Sequence, residues 1–226
     1  MKKRYFGLLP IVASLSLVAG GFASWIFSVA GNTSTTAGLD VITTTADGEI
    51  SKLGKFTVTN SDYNLDLDQV ATTDNSTGKG ANFTGSLSIV WTFAADDATA
   101  DEKTYTNVNK FNYEFSIKFT VNSTLYSYVD LSFSGTTLSA DNNTKTTTIS
   151  TSTTTITSSN AEQTLFNSAS TDSNKLTASY NTTTFKNASS ITETEYDSMK
   201  SAITAIDDYS TSLITIEVTA KASLRS

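Results

Sequence analysis

Four carboxylates fall within seven residues at Asp96, Asp97, Asp101 and Glu102, in a loop running from Ala94. Oxygen clusters of this kind bind calcium, a hard cation held by several carboxylate and carbonyl oxygens. The loop lacks the Asp-x-Asp-x-Asp-Gly spacing and the turn glycine of helix–loop–helix calcium sites, so a solvated loop is the competing expectation. Asp66, Asp68 and Asp74 form a looser group of the same kind. Glu114 and Glu217 offer a second chemistry, because two carboxylates about 5–10 Å apart across a cleft hydrolyse glycosides. Lys118 and Lys221 are their sequence neighbours, which favours an ordinary solvated sheet face. Ser76 and Lys79 have the spacing of a Ser/Lys nucleophile pair. With 32 Ser and 13 Lys in the chain one such hit arises by chance, and a glycine-flanked turn is the better reading. Gly78-Lys79-Gly80 lacks the upstream glycine of a phosphate loop.

Composition removes most other chemistry. The 226 residues include no His and no Cys, and the single Pro is Pro10. Disulfides, thiolate nucleophiles, sulfur-ligated metals, Ser-His-Asp triads and HExxH zinc helices are therefore excluded. Thr and Ser number 41 and 32, so hydroxyls dominate the surface. Seven Asn-x-Ser/Thr sequons, starting at Asn32, Asn75, Asn82, Asn122, Asn142, Asn181 and Asn187, are close to what this composition produces by chance. The net charge is −7. An acidic surface repels phosphate backbones and anionic lipid, so nucleic acid is not an expected partner. No reaction is legible, and no catalytic residue is assigned.

The elements follow from periodicity. Lys2, Lys3 and Arg4 precede an apolar stretch from Tyr5 to Val18, then small residues that offer cleavage after Ala23 or after Ala30. This is the layout of a secretory signal peptide over 1–30, which predicts export and an extracellular or cell-surface location. An uncleaved N-terminal anchor is the alternative, and it would be the protein's one membrane attachment. Strict alternation at 112–121 and 214–224, and at Leu87, Ile89, Trp91 and Phe93, predicts half-buried strands. Weaker strands fit 39–44, 55–60, 125–134, 145–157 and 175–185. Tyr196, Met199, Ile203 and Ile206 step at helical spacing behind a Thr192 cap, with Glu193 and Glu195 in the first turn. A shorter helix is expected over 160–167, capped by Ser159 or Asn160. The expected fold is all-β: an antiparallel, jelly-roll-like β-sandwich over 31–226, with short helices in connections and an N-terminal hydrophobic signal helix. A polar insertion is expected around 139–190, with 145–157 as a solvated edge.

One stretch carries a resemblance. Gly20-Gly21-Phe22-Ala23-Ser24-Trp25-Ile26-Phe27, a polar spacer, then Thr36-Ala37-Gly38-Leu39-Asp40-Val41 is similar to the opening of TasA/camelysin-type secreted proteins. Gly54-Lys55-Phe56-Thr57-Val58-Thr59-Asn60 followed by Leu65-Asp66-Leu67 extends the likeness, which covers about the first 70 residues. The resemblance implies a bacterial surface or biofilm-matrix protein with a jelly-roll fold. It also implies fibres in which an N-terminal strand, here from about 25 to 45, completes a neighbour's sheet. The metallopeptidase activity ascribed to camelysin-like members does not transfer to a chain without His. The alternative function is an adhesin that binds glycan or a host protein through loops 94–110 and 139–190.

Overall fold

The computed structural model describes residues 24–28, 52–68, 80–97, 99, 101–171, 173–185, 191–205 and 213–225. They form a predominantly antiparallel β structure. The first five strands are β1 (Ser24–Ser28), β2 (Gly54–Asp68), β3 (Ala81–Phe93), β4 (Phe111–Val121) and β5 (Val129–Phe133). The remainder are β6 (Thr136–Thr137), β7 (Thr144–Ile149), β8 (Glu162–Asn167), β9 (Leu176–Tyr180) and β10 (Ile214–Leu224). Two helices lie in connections, the single turn α1 (Ser123–Tyr126) and the three-turn α2 (Glu193–Thr204). The strands join into three sheets ordered β1-β2-β3-β8, β10-β4-β7 and β6-β5-β9.

The alternation that predicts β4 and β10 is what buries them. Phe111, Tyr113, Phe115, Ile117 and Phe119 are buried, while the residues between them face outward. Ile214, Ile216, Val218, Ala220 and Ala222 do the same along β10. The two strands pair in unbroken register from Ile214 opposite Val121 to Leu224 opposite Phe111. Aromatic rings of β3 meet those of β4: Trp91 lies 5.7 Å from Phe115, and Phe93 lies 4.8 Å edge-on to Tyr113. A second ring cluster links the β6-β5-β9 sheet to this core, with Phe133 4.8 Å from Phe119 and stacked on Phe166 at 5.7 Å. Each ring brings large apolar area and a geometric preference, so these contacts fix how the sheets sit on one another.

Turn chemistry closes the hairpin of β5 and β6. Phe133 pairs with Thr136, and the two residues between, Ser134 and Gly135, have φ of 49° and 75°. Positive φ at both central positions is the turn whose twist matches a two-residue hairpin, and glycine adopts it without cost.

The helix at 193–204 forms where the periodicity places it. Thr192 Oγ1 accepts from Glu195 N, and the Glu195 carboxylate accepts from Thr192 N, a complete capping box. Tyr196, Met199 and Ile203 are buried, and the Tyr196 hydroxyl donates to the Leu67 carbonyl at 2.9 Å, tying α2 to β2.

Three expectations change. The segment expected as a short helix over 160–167 is strand β8, antiparallel to β3. Asn160 does not cap a helix; its carboxamide oxygen accepts from Thr157 N and closes a turn. A register shift opposite Ile89 and Val90 lets consecutive Leu165 and Phe166 both turn into the core. Within 125–134 the chain first makes α1, capped by Asn122 accepting from Thr124 N, and only then β5, the middle strand of its sheet. The 139–190 stretch does contain a solvated edge, β7, but it also supplies Leu165, Phe166, Leu176, Tyr180 and Phe185 to the core. The signal region before residue 24, the expected strand at 39–44, and Asp74, Ser76 and Lys79 lie outside the described residues. Among the described residues no helix is long and apolar enough to cross a membrane.

Candidate functional site

The acidic loop leaves β3 at Phe93 and returns to β4 through a 3-10 turn at Val108–Lys110. Asp96 is turned back onto the loop itself. Its Oδ2 accepts from Thr106 N at 2.6 Å and from the Thr104 hydroxyl at 3.2 Å, and its Oδ1 accepts from Asn107 N at 3.0 Å. Desolvation works to raise the Asp96 carboxyl, but the Asn107 and Thr106 amides and the hydroxyl contacts outweigh it and hold the group below its ordinary value. Asp97 Oδ1 accepts from the amide and hydroxyl of Thr99, closing a local turn. Asp101 and Glu102 are exposed. Among the described residues no group of three or more acidic side chains converges as a metal cage would require. The four carboxylates therefore divide into two that tie the loop and two that face solvent. Asp66 and Asp68 fall in β2, opposite Ile26 and Ser24 of β1.

The second candidate pair is separated by register. Glu114 stands opposite Lys221, and Glu217 stands opposite Lys118. The two glutamates are thus offset by four residues along the sheet, about 13 Å at the rise of a strand, beyond the separation a two-carboxylate glycosidase uses. Each acid instead has a cross-strand lysine. Lys221 Nζ lies 3.3 Å from Glu114 Oε1, with both side chains nearly half exposed. An exposed pair of this kind contributes at most about 1 kcal/mol. Beside it lies a shallow groove of about 440 Å³ whose lining includes Asn112, Glu114, Thr148, Ser150 and Lys221. Tyr113, Ile149 and Ala222 also line it, so its walls mix apolar surface with hydroxyls, an amide and one ion pair.

The sheet edges are the remaining feature with functional content, because an edge strand offers unpaired backbone groups to another chain. They differ in how they are guarded. On β7, Lys145 stands in register with Ile117 and is exposed, and a lysine on an edge strand discourages further pairing. Strand β8 is kinked by its register shift, and β6 is two residues long. Strand β1 is added to the outside of β2 in continuous register, Ser24 opposite Asp68 to Ser28 opposite Asn64. Strand β10 is eleven residues long and unbroken in register, and its charges are Glu217 and Lys221 on the outward face.

Sequence reasoning missed several polar residues that organise this end of the molecule. The Asn109 side chain donates to the carbonyls of Tyr105 and Ile156 and accepts from Ile156 N, binding the acidic loop to the segment after β7. Thr151 is 3% exposed, and its hydroxyl donates to the Phe111 carbonyl at 2.8 Å. Ile156 lies 47 residues from Asn109 and Phe111 lies 40 from Thr151, so no local pattern marks these contacts. No family model, curated protein or solved structure matches this chain.

Proposed function

We propose that this chain is an exported bacterial structural protein of the cell surface or extracellular matrix, a jelly-roll-like β-sandwich without catalytic activity. In this reading it assembles by lending its N-terminal strand to a neighbouring copy. One observation carries the reading: β1 sits on the outside edge of β2 and is joined to it through residues 29–53. A strand held by backbone pairing at an edge, on a long connection, is what copies exchange when they polymerise head to tail. Fully extended, that connection reaches about 80 Å, far enough to place β1 on a second copy. Signal-peptide cleavage after Ala23 would leave β1 at the new N-terminus, since the strand begins at Ser24. Cleavage after Ala30 would remove it.

The scarcity of chemistry supports the same reading. The candidate acids are tied into a loop, exposed, or paired with lysines. The test compares the full chain with one lacking 25–45 over a range of concentrations by electron microscopy and sedimentation. Open-ended assembly that needs the segment is expected; a full chain that forms no polymer at high concentration overturns the proposal.

A second reading, a glycan- or protein-binding module, draws on the shallow groove beside Glu114 and Lys221, with its mixed apolar and polar walls. Binding on a glycan array that is lost in Lys221→Met would favour it.

A further inference from the structure

Strand β10 is eleven residues long and ends its sheet, so among the described residues nothing pairs with its outer side. Its two ends fix how its backbone faces. The Leu213 carbonyl accepts from Asn122 N, and Arg225 N donates to the Lys110 carbonyl, both at 2.8 Å toward the β4 side. Backbone groups alternate sides along an antiparallel strand. The odd-numbered residues therefore bond β4, and Ile214, Ile216, Val218, Ala220, Ala222 and Leu224 aim their N–H and C=O outward. The strand has no proline, no bulge and no core-side charge. Its charges, Glu217 and Lys221, stand on the outward face, where they oppose pairing unless the partner strand sets an opposite charge against each.

We propose that this edge pairs antiparallel with β10 of a second copy of the chain, with Thr219 on the two-fold axis. The occupant follows from the charge pattern, because the strand is its own complement. Read backwards about Thr219, Glu217 and Lys221 exchange places. In the register that uses all eleven residues, Glu217 stands opposite the second copy's Lys221, and symmetry makes the contact twice. Inside each copy Glu217 already stands opposite Lys118, and Lys221 opposite Glu114. The dimer thus builds a row of Lys118, Glu217, the second copy's Lys221 and the second copy's Glu114, alternating in sign across four strands. Registers centred on residue 217 or 221 oppose like charges, and those centred on 218 or 220 leave the charges facing Thr or Ser. Opposite charges in directly facing positions stabilise a sheet and like charges destabilise it. On the core side Leu224, a large hydrophobic residue 52% exposed, comes to lie opposite the second copy's Ile214. This contact is isologous and closes on itself, so it makes dimers and does not depend on β1.

Sedimentation velocity of the full chain, and of the chain lacking 25–45, is expected to show a concentration-dependent dimer in both. Glu217→Lys and Lys221→Glu each oppose like charges twice, and each is expected to weaken dimerisation about tenfold or more. An equimolar mixture of the two variants, one of them tagged, restores a heterodimer, because both charge pairs across the contact between copies are again of opposite sign; this recovery also shows that both variants fold. The chain has no cysteine of its own, so Thr219→Cys supplies a direct check. Facing residues on the two-fold approach to about 4.5–5.5 Å between Cα atoms, within disulfide reach, so T219C cross-links on mild oxidation. T215C, which faces Ser223, does not. A monomer at every concentration, single variants that dimerise like the parent, a mixture that stays monomeric, or T219C cross-linking no faster than T215C would each overturn the proposal.

Discussion

Gly54→Ala tests the packing of the core more sharply than any truncation. Gly54 is buried at the start of β2, opposite Phe93. A methyl group there would sit 2.5 Å from Trp91 Cζ2, 2.6 Å from Trp91 Cε2 and 2.6 Å from the Thr92 carbonyl oxygen. Each distance is about 1 Å short of carbon contact. Neither neighbour can yield cheaply. Trp91 is fully buried, with Phe56 edge-on at 4.9 Å, Phe115 at 5.7 Å and Phe93 at 6.2 Å. The Thr92 oxygen is backbone in a strand paired on both sides, with Lys55 and Glu162. Overpacking of this kind costs about 1–3 kcal/mol, and rigid surroundings on two sides place G54A near 3. For a chain of this size that lowers the melting temperature by roughly 6–12 °C. Gly135→Ala is the control. Its φ is +75°, but nothing lies within 4 Å of a Cβ there, so only backbone strain applies. That strain is about 1–2 kcal/mol, or roughly 2–8 °C. Thermal melts followed by near-ultraviolet circular dichroism compare the two. Equal melting temperatures for G54A and the parent would refute the account of how β2 seats on Trp91.

Two further outcomes follow from the same structure. Thr192→Ala removes the capping box of α2 and is expected to cost about 1 kcal/mol, lowering the melting temperature by roughly 2–4 °C, while Thr192→Ser keeps it. Burial pushes the phenols of Tyr63 and Tyr113 well above their ordinary value of 10.0. Their protons are retained in the folded state and released on unfolding above pH 10. The stability they contribute is therefore complete below pH 10 and lost as pH rises beyond it, so urea midpoints should fall between pH 9 and 11. Midpoints that do not change would contradict the buried placement of these rings.

Where local pattern decides structure, the sequence is informative. Helix α2 announces itself through Thr192, Glu195 and the spacing of Tyr196, Met199 and Ile203, because cap and stripe lie within one short window. Strands β4 and β10 do so through strict alternation. Strand β8 has the local look of a helix because six residues behind Asn160 carry a cap signal and too few apolar positions to show a period. What decides it is pairing with β3, 70 to 79 residues away. The polar look of 139–190 hides its core contribution for the same reason: Leu176, Tyr180 and Phe185 are isolated among hydroxyls and acquire meaning only beside Phe133 and Tyr128. The acidic loop is visible as composition, yet the sequence does not show Asp96 spending its oxygens on Thr106 and Asn107. Glu114 and Glu217 are both legible as outward-facing acids. Their separation, and the lysine opposite each, exist only once register is known.

The central claim, an exported subunit that assembles through its first strand, is tested most directly on protein recovered from outside its own cells. Its N-terminal sequence and native mass are read together. The account predicts a chain starting at Ser24, with β1 intact, and a native mass that grows in multiples of the subunit with concentration. A chain that begins at Gly31, or one retained inside the cell with Met1 in place, and that shows no mass above a dimer, would contradict it.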